Sequence, residues 1–180
     1  MGFSDGLLRE TIINCIKFGD FTLSSGAKSD FYFDLESIFC SYFNLETIRE
    51  AMMRQIEQKV KDSITYILAG PALGAVPLMV SLGAHYYQFN KYLTVKNDGT
   101  IRHASSKSKL PVVLVDDVFQ SGASLRKTID ACRKVECVSE FVGAYVVVNR
   151  EPEKSKHFEV PVQSLFLADE LVAEARRRRK

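Results

Sequence analysis

The run Pro111-Val-Val-Leu-Val-Asp-Asp-Val-Phe-Gln-Ser-Gly-Ala-Ser-Leu125 decides the fold. Val112 to Val115 form a continuous apolar stretch, dominated by β-branched residues and bounded by a proline and two carboxylates. Such a run suits a strand buried on both faces of a parallel sheet. Asp116 and Asp117 follow, then Ser121, Gly122, Ala123 and Ser124 make a small-residue turn that opens a helix. A turn of that kind leaves backbone N–H groups unpaired at a helix N-terminus, where the dipole favours an anion. One element therefore offers a phosphate cradle beside two acids able to hold sugar hydroxyls or a hydrated cation. A phosphorylated sugar suits that combination.

Working outward, Leu8, Ile12 and Ile16 recur at helical spacing, which predicts a helix over 5–18 ended by Gly19. Phe31 to Leu35 is aromatic and β-prone. Leu45, Ile48, Met52, Ile56 and Val60 line one face of a second helix, with Asn44 as its N-cap. Ile64 to Ala69 and Tyr86 to Phe89 are expected strands, with an apolar helix to about Ser81 between them. From Asn90 to Leu110, Lys, Asn, Gly, Ser and His dominate, which predicts a long loop acting as a lid. Leu125, Ile129 and Cys132 mark a helix, Phe141 to Val148 and Val162 to Leu167 two strands, and a last helix runs into Arg176–Lys180. A solvated helix end suits that basic terminus better than a nucleic-acid-binding tail. Strands alternating with helices predict an α/β protein with a parallel sheet, its ligand site at the carboxyl ends of the strands.

The 180 residues predict one domain, and the 46% hydrophobic and 26% charged fractions are ordinary for a globular protein. A net charge of +2 gives no polyanion-binding signal. Cys15, Cys40, Cys132 and Cys137 show no CxxC pairing, so reduced thiols and a cytoplasmic location are expected. Neither a membrane span nor a signal peptide is apparent. A second turn, Gly70-Pro-Ala-Leu-Gly74, also follows a buried strand and could take a second anion on its exposed amides.

The central run resembles the phosphoribosyl-pyrophosphate (PRPP) motif of type I phosphoribosyltransferases, an apolar strand, an acid pair and a Ser/Thr-Gly-x-Ser/Thr loop. Gln120 stands where a small or hydroxylated residue is usual. The resemblance implies that fold over 1–180, a central parallel sheet flanked by helices, with a small hood formed mainly by 18–36. It assigns PRPP binding to Asp116, Asp117, Val118, Phe119, Gln120, Ser121, Gly122, Ala123 and Ser124. Gly70, Pro71, Ala72, Leu73 and Gly74 take the place of the pyrophosphate loop.

The run Phe18-Gly-Asp-Phe-Thr-Leu-Ser-Ser-Gly-Ala-Lys-Ser-Asp-Phe-Tyr-Phe-Asp34 is similar to the opening of orotate phosphoribosyltransferases. By that likeness Ser24, Tyr32, Phe33, Gln120 and Arg150 contact the base, with Arg150 pairing the orotate carboxylate. In the family's mobile loop, Arg-Lys-x-x-Lys-x-His-Gly, the register sets Lys96 and Gly99 on matching positions, while Tyr92-Leu93 replaces the Arg-Lys pair and Asp98 the His. The implied reaction joins orotate to PRPP, giving orotidine monophosphate and pyrophosphate in pyrimidine biosynthesis. Asp116, Asp117 and Lys96 are the implied catalytic residues, Mg²⁺ the cofactor, reached through PRPP and water-bridged to the acid pair. A homodimer sharing loop 90–110 is the implied assembly, with neither membrane nor nucleic acid as partner. Two rivals stand beside this: a transferase for another nucleobase, and a non-catalytic PRPP or nucleotide sensor.

Overall fold

The computed structural model describes residues 3–23, 26–60, 65–84, 91–103 and 109–179. The central strand is longer than its apolar run. β6 spans Leu110–Phe119 and carries both aspartates within it, and Val112 to Val115 have no exposed surface at all. Its neighbours are β3 (Ile67–Pro71) and β7 (Val138–Asn149), both parallel to it, in the registers Leu68↔Val113 and Asp116↔Val146. The sheet is completed by β4 (Lys91–Val95), β5 (Ile101–His103) and β8 (Val162–Leu167), in the order β5-β4-β3-β6-β7-β8. Only β5, at the edge, runs antiparallel.

Strand alternation divides the apolar side chains between two cores. Val113, Val115, Tyr145 and Val147 face α1 (Phe3–Asn14), α3 (Tyr42–Glu57), α4 (Val76–Ala84) and α7 (Ala168–Arg178). Val112, Leu114, Ala144 and Val146 face Leu125, Ile129 and Cys132 of α5 (Ala123–Cys132). Burying each of the valine and leucine side chains of β6 contributes roughly 1.5–3 kcal/mol, so β6 anchors the sheet from both sides. Two short helices, α2 (Leu35–Phe39) and α6 (Pro152–Lys156), complete the chain. A separate antiparallel ribbon, β1 (Ile16–Thr22) and β2 (Lys28–Phe33), makes the hood.

Several expected boundaries shift. The first helix ends at Asn14, not at Gly19, because the two-residue alternation of Ile16-Lys-Phe-Gly-Asp-Phe21 pairs with β2, Phe18 opposite Phe31. The third helix starts at Tyr42 with Ser41 before it, so Asn44 is inside it and caps nothing; Tyr42 and Phe43 are exposed aromatics that hid the start. The segment 90–110 is not a structureless loop over its described part. Leu93 and Val95 are buried, and β4 and β5 form a hairpin closed by a Lys96–Thr100 turn, with Gly99 at φ +80°. The expected strand over 86–89 lies outside the described residues, as does Ile64, and β3 begins at Ile67.

The basic terminus is an exposed helix end, and three of its arginines are engaged by the protein itself. Arg176 pairs with Asp30 of β2, and Arg178 reaches Glu10 at 2.5 Å and Glu174 at 2.7 Å. Arg179 lies 4.3 Å above the Phe18 ring. Arg176 and Arg179 thus tie the C-terminal end of the chain to the hood, and Arg178 ties α7 to α1.

Gly70 lets β3 approach β6. A Cβ there would lie 2.4 Å from the Val115 carbonyl oxygen and 2.5 Å from the Ala75 Cβ. Backbone cannot yield as a flexible side chain can, so Gly70→Ala should lower the unfolding free energy by about 1–3 kcal/mol. Urea unfolding of the variant beside wild type checks this.

Candidate active site

A cavity of about 630 Å³ opens at the carboxyl ends of β3, β4, β6 and β7, beneath the hood. Asp116, Asp117, Val118 and residues 120–124 line it, as do Pro71, Ala72, Gly74, Lys96, Tyr32, Phe33 and Arg150. Four loops separated in sequence thus meet at the switch point of a doubly wound sheet, where such folds place ligands.

The two aspartates have different surroundings. Asp116 is 4% exposed, and both its oxygens are used within the protein. Oδ2 accepts the Ser124 hydroxyl at 2.7 Å, and Oδ1 accepts the Asp117 backbone N–H at 3.0 Å. Burial pushes the Asp116 carboxyl well above the usual range, and the neighbouring Asp117 charge pushes it further. Asp117 is half-buried; its Oδ1 accepts the Val118 N–H at 2.7 Å, and its carboxylate faces Gly74. A Cβ on Gly74 would stand 3.2 Å from Asp117 Oδ2, so the bare glycine keeps the space before that carboxylate clear.

The turn after β6 is built for close approach. Gly122 has φ +72°, and a Cβ on it would meet the Phe158 ring at 2.5 Å. Phe119 packs edge-to-face on Phe158 at 5.5 Å and is 1% exposed. Its side chain therefore faces the core, not a ligand, because it falls on the opposite side of the strand from Val118. The Arg126 N–H bonds to the Gly122 carbonyl at 2.9 Å, and amides of the first turn precede any intrahelical acceptor. Gly70 and Leu73 act through the backbone or not at all: Gly70 is enclosed by β6, and Leu73 is 80% exposed away from the cavity lining.

Under the hood, the Arg150 N–H donates to the Phe119 carbonyl at 2.8 Å, joining the ends of β6 and β7. Its guanidinium donates to Ser29 Oγ at 2.8 Å and stacks 4.3 Å over Phe31. Burial lowers its pKa, a desolvation cost that an anionic ligand would offset. Phe33 is buried edge-on to Phe31 at 5.7 Å, while Tyr32 is 40% exposed and packs on Phe21. Ser24 lies outside the described residues.

Phe31 and Ser29, the seat of Arg150, were not among the expected site residues, and neither were Glu36, Asn97 and Lys127, which also line the cavity.

No protein-family model matches the chain. It is 35% identical to the orotate phosphoribosyltransferase of Methanosphaera stadtmanae over 84% of its own length and 83% of that protein's. With the enzyme of the same name from Methanopyrus kandleri it shares 34% identity, over 88% and 86% of the two lengths. The chain belongs to the orotate phosphoribosyltransferase family.

Solved structures agree on the fold. Orotate phosphoribosyltransferase of Mycobacterium tuberculosis H37Rv in complex with inorganic phosphate superposes with a TM-score of 0.75 at 22% identity, covering 95% of this chain and 99% of that one. Adenine phosphoribosyltransferase of Saccharomyces cerevisiae gives 0.69 at 11% identity, covering 89% and 99%. In the register expected from the sequence, Tyr92 and Leu93 stand on the motif's Arg-Lys positions, and both pack inward. Leu93 is 1% exposed, and the Tyr92 hydroxyl packs against Gly83, where a Cβ would come within 1.7 Å. Lys96, in the turn beyond β4, lines the cavity.

The raised Asp116 pKa sets a pH dependence. The folded protein holds this proton to higher pH than the unfolded chain does, so the group favours folding at low pH. That contribution is lost as pH rises from about 4 through the folded value. Asp116→Asn keeps the shape and cannot ionise. Its stability relative to wild type should therefore rise between pH 5 and pH 8, as urea unfolding at the two values would show.

Proposed function

We propose that the chain transfers the phosphoribosyl group of PRPP to orotate, giving orotidine monophosphate and pyrophosphate. The observation that carries this is the meeting, in one cavity, of the acid pair, the turn opening α5, the turn after β3 and Arg150 under the hood. Each has a partner on the substrates. The first-turn amides of α5 suit the 5-phosphate, and the Ala72–Gly74 turn suits the diphosphate. Asp117 is placed to hold the ribose hydroxyls and to favour the positive charge that develops on the sugar as pyrophosphate leaves. Asp116 fixes Asp117 and Ser124. Arg150, held 4.3 Å over the Phe31 ring, offers its fork to the orotate carboxylate. The hood covers the base and keeps water from the reactive sugar.

Among the described residues no cluster of His, Cys, Asp and Glu could hold a metal ion unaided. The open face of Asp117 beside Gly74 nevertheless suits a hydrated Mg²⁺ carried in by the diphosphate, since that ion keeps several of its waters. Asp117 would hold it, water-bridged, with Asp116 behind. Bound there, it would neutralise diphosphate charge.

Lys96 is the cation at the diphosphate end. It lines the cavity of its own chain, so a homodimer sharing segment 90–110 is not required to bring it there. No helix of the described residues is long and apolar enough to cross a membrane. A cytoplasmic biosynthetic enzyme is consistent with that and with the four free cysteines.

The test is pyrophosphate release from PRPP and Mg²⁺ with orotate, uracil, adenine, guanine or hypoxanthine. Orotate should be the preferred base, and preference for another would move the assignment to a transferase for that nucleobase. Asp117→Asn and Lys96→Ala should each lower turnover about 100-fold, the effect of one lost charge-stabilising group. Mixing these two variants should restore nothing if Lys96 acts within its own chain, while recovery of activity would place the sharing across a dimer. Arg150→Ala should impair use of orotate far more than binding of PRPP.

A further inference from the structure

We infer that Lys127 is a binding residue for the 5-phosphate of the sugar substrate, an inference that rests on the phosphoribosyl-transfer reading above. Among the described residues, three cationic side chains line the cavity: Lys96, Lys127 and Arg150. They sit at different ends of it. Lys96 follows β4, beside the Ala72 turn, whose N–H bonds to the Val95 carbonyl at 2.8 Å. Arg150 follows β7 under the hood. Lys127 lies on the second turn of α5, behind the Ser121–Ser124 turn. PRPP and orotate bring three anionic groups: a diphosphate, a carboxylate and a 5-phosphate. The first two have Lys96 and Arg150, and the third falls to Lys127.

The geometry of α5 supports this in three ways. Lys127 is three residues from Ser124 and four from Ala123, so it shares their helix face. Helical side chains lean toward the N-terminus, which carries the Lys127 ammonium back over the first turn. There the Ala123 N–H donates to Ser121 Oγ at 3.4 Å, and the two amides after it precede any intrahelical acceptor. A cation so near a helix N-terminus also opposes the dipole, and the first turn of α5 holds no acid to offset it. Lys127 makes no ion pair among the described residues, although Asp116 and Asp117 line the same cavity. Its neighbour Arg126 is engaged differently, stacking 5.3 Å over Phe158. An unpaired cation at an amide-rich turn is completed by a dianion such as a phosphate monoester.

Ribose 5-phosphate is the probe, since it carries the 5-phosphate without the diphosphate or the base. Calorimetry on the full chain should show Lys127→Gln weakening it about tenfold, the typical effect of one charge-assisted contact. Lys127→Arg should retain most of the affinity, and Lys127→Gln should flatten the salt dependence of binding. Inorganic pyrophosphate should bind wild type and Lys127→Gln alike, and the KM for PRPP should rise more than kcat falls. Ribose 5-phosphate bound equally by wild type and Lys127→Gln would overturn the assignment, as would a wild type that does not bind it. If wild type binds it, Lys127→Gln loses it and no base is turned over, the transferase reading falls while the role of Lys127 stands.

Discussion

The bond from the Ser124 hydroxyl to Asp116 Oδ2 holds the site together. It joins the end of the central strand to the first turn of α5, two elements that line the same cavity. Asp116 spends its other oxygen on the Asp117 backbone, which aims the second carboxylate into the cavity. Burying a carboxyl this deeply is costly, and the raised pKa expresses that cost. Packing on both faces of β6 supplies the stability that tolerates it, because Val112 to Val115 are wholly enclosed. The strand's rigidity thus becomes the site's precision.

Charge is distributed around this centre by topology. Parallel strands deliver their carboxyl ends to one edge, so the turns after β3, β4, β6 and β7 converge without any being close in sequence. The hood is attached separately. Arg150 grips Ser29 and Phe31 from the sheet side, and Arg176 and Arg179 hold Asp30 and Phe18 from α7. A two-stranded ribbon has little stability of its own. These arginine contacts, with the buried Phe33, fix its position over the cavity.

Much of this was legible in the chain because its strongest signals are local. A solid apolar run, two acids and a Ser-Gly-x-Ser turn specify strand, cavity edge and helix start within fifteen residues. Side-chain direction was less legible. Phe119 lies in the motif yet faces the core, a consequence of strand alternation carried through the acid pair. The β4–β5 hairpin was hidden because its flanks are polar, and of its residues only Leu93 and Val95 are fully buried. The role of the terminal arginines depends on contacts spanning about the whole chain, which no local pattern encodes. The seating of Arg150 on Phe31 is likewise a tertiary fact, while the arginine's place after β7 was visible in sequence.

The central claim is that one cavity, braced by Asp116, receives PRPP in a single orientation. A crystal structure of the protein with PRPP and Mg²⁺ tests it most directly. The account predicts the 5-phosphate on the first-turn amides of α5, the ribose hydroxyls at Asp117 and the diphosphate at the Ala72–Gly74 turn. A 5-phosphate bound elsewhere, or ribose hydroxyls that do not contact Asp117, would contradict it.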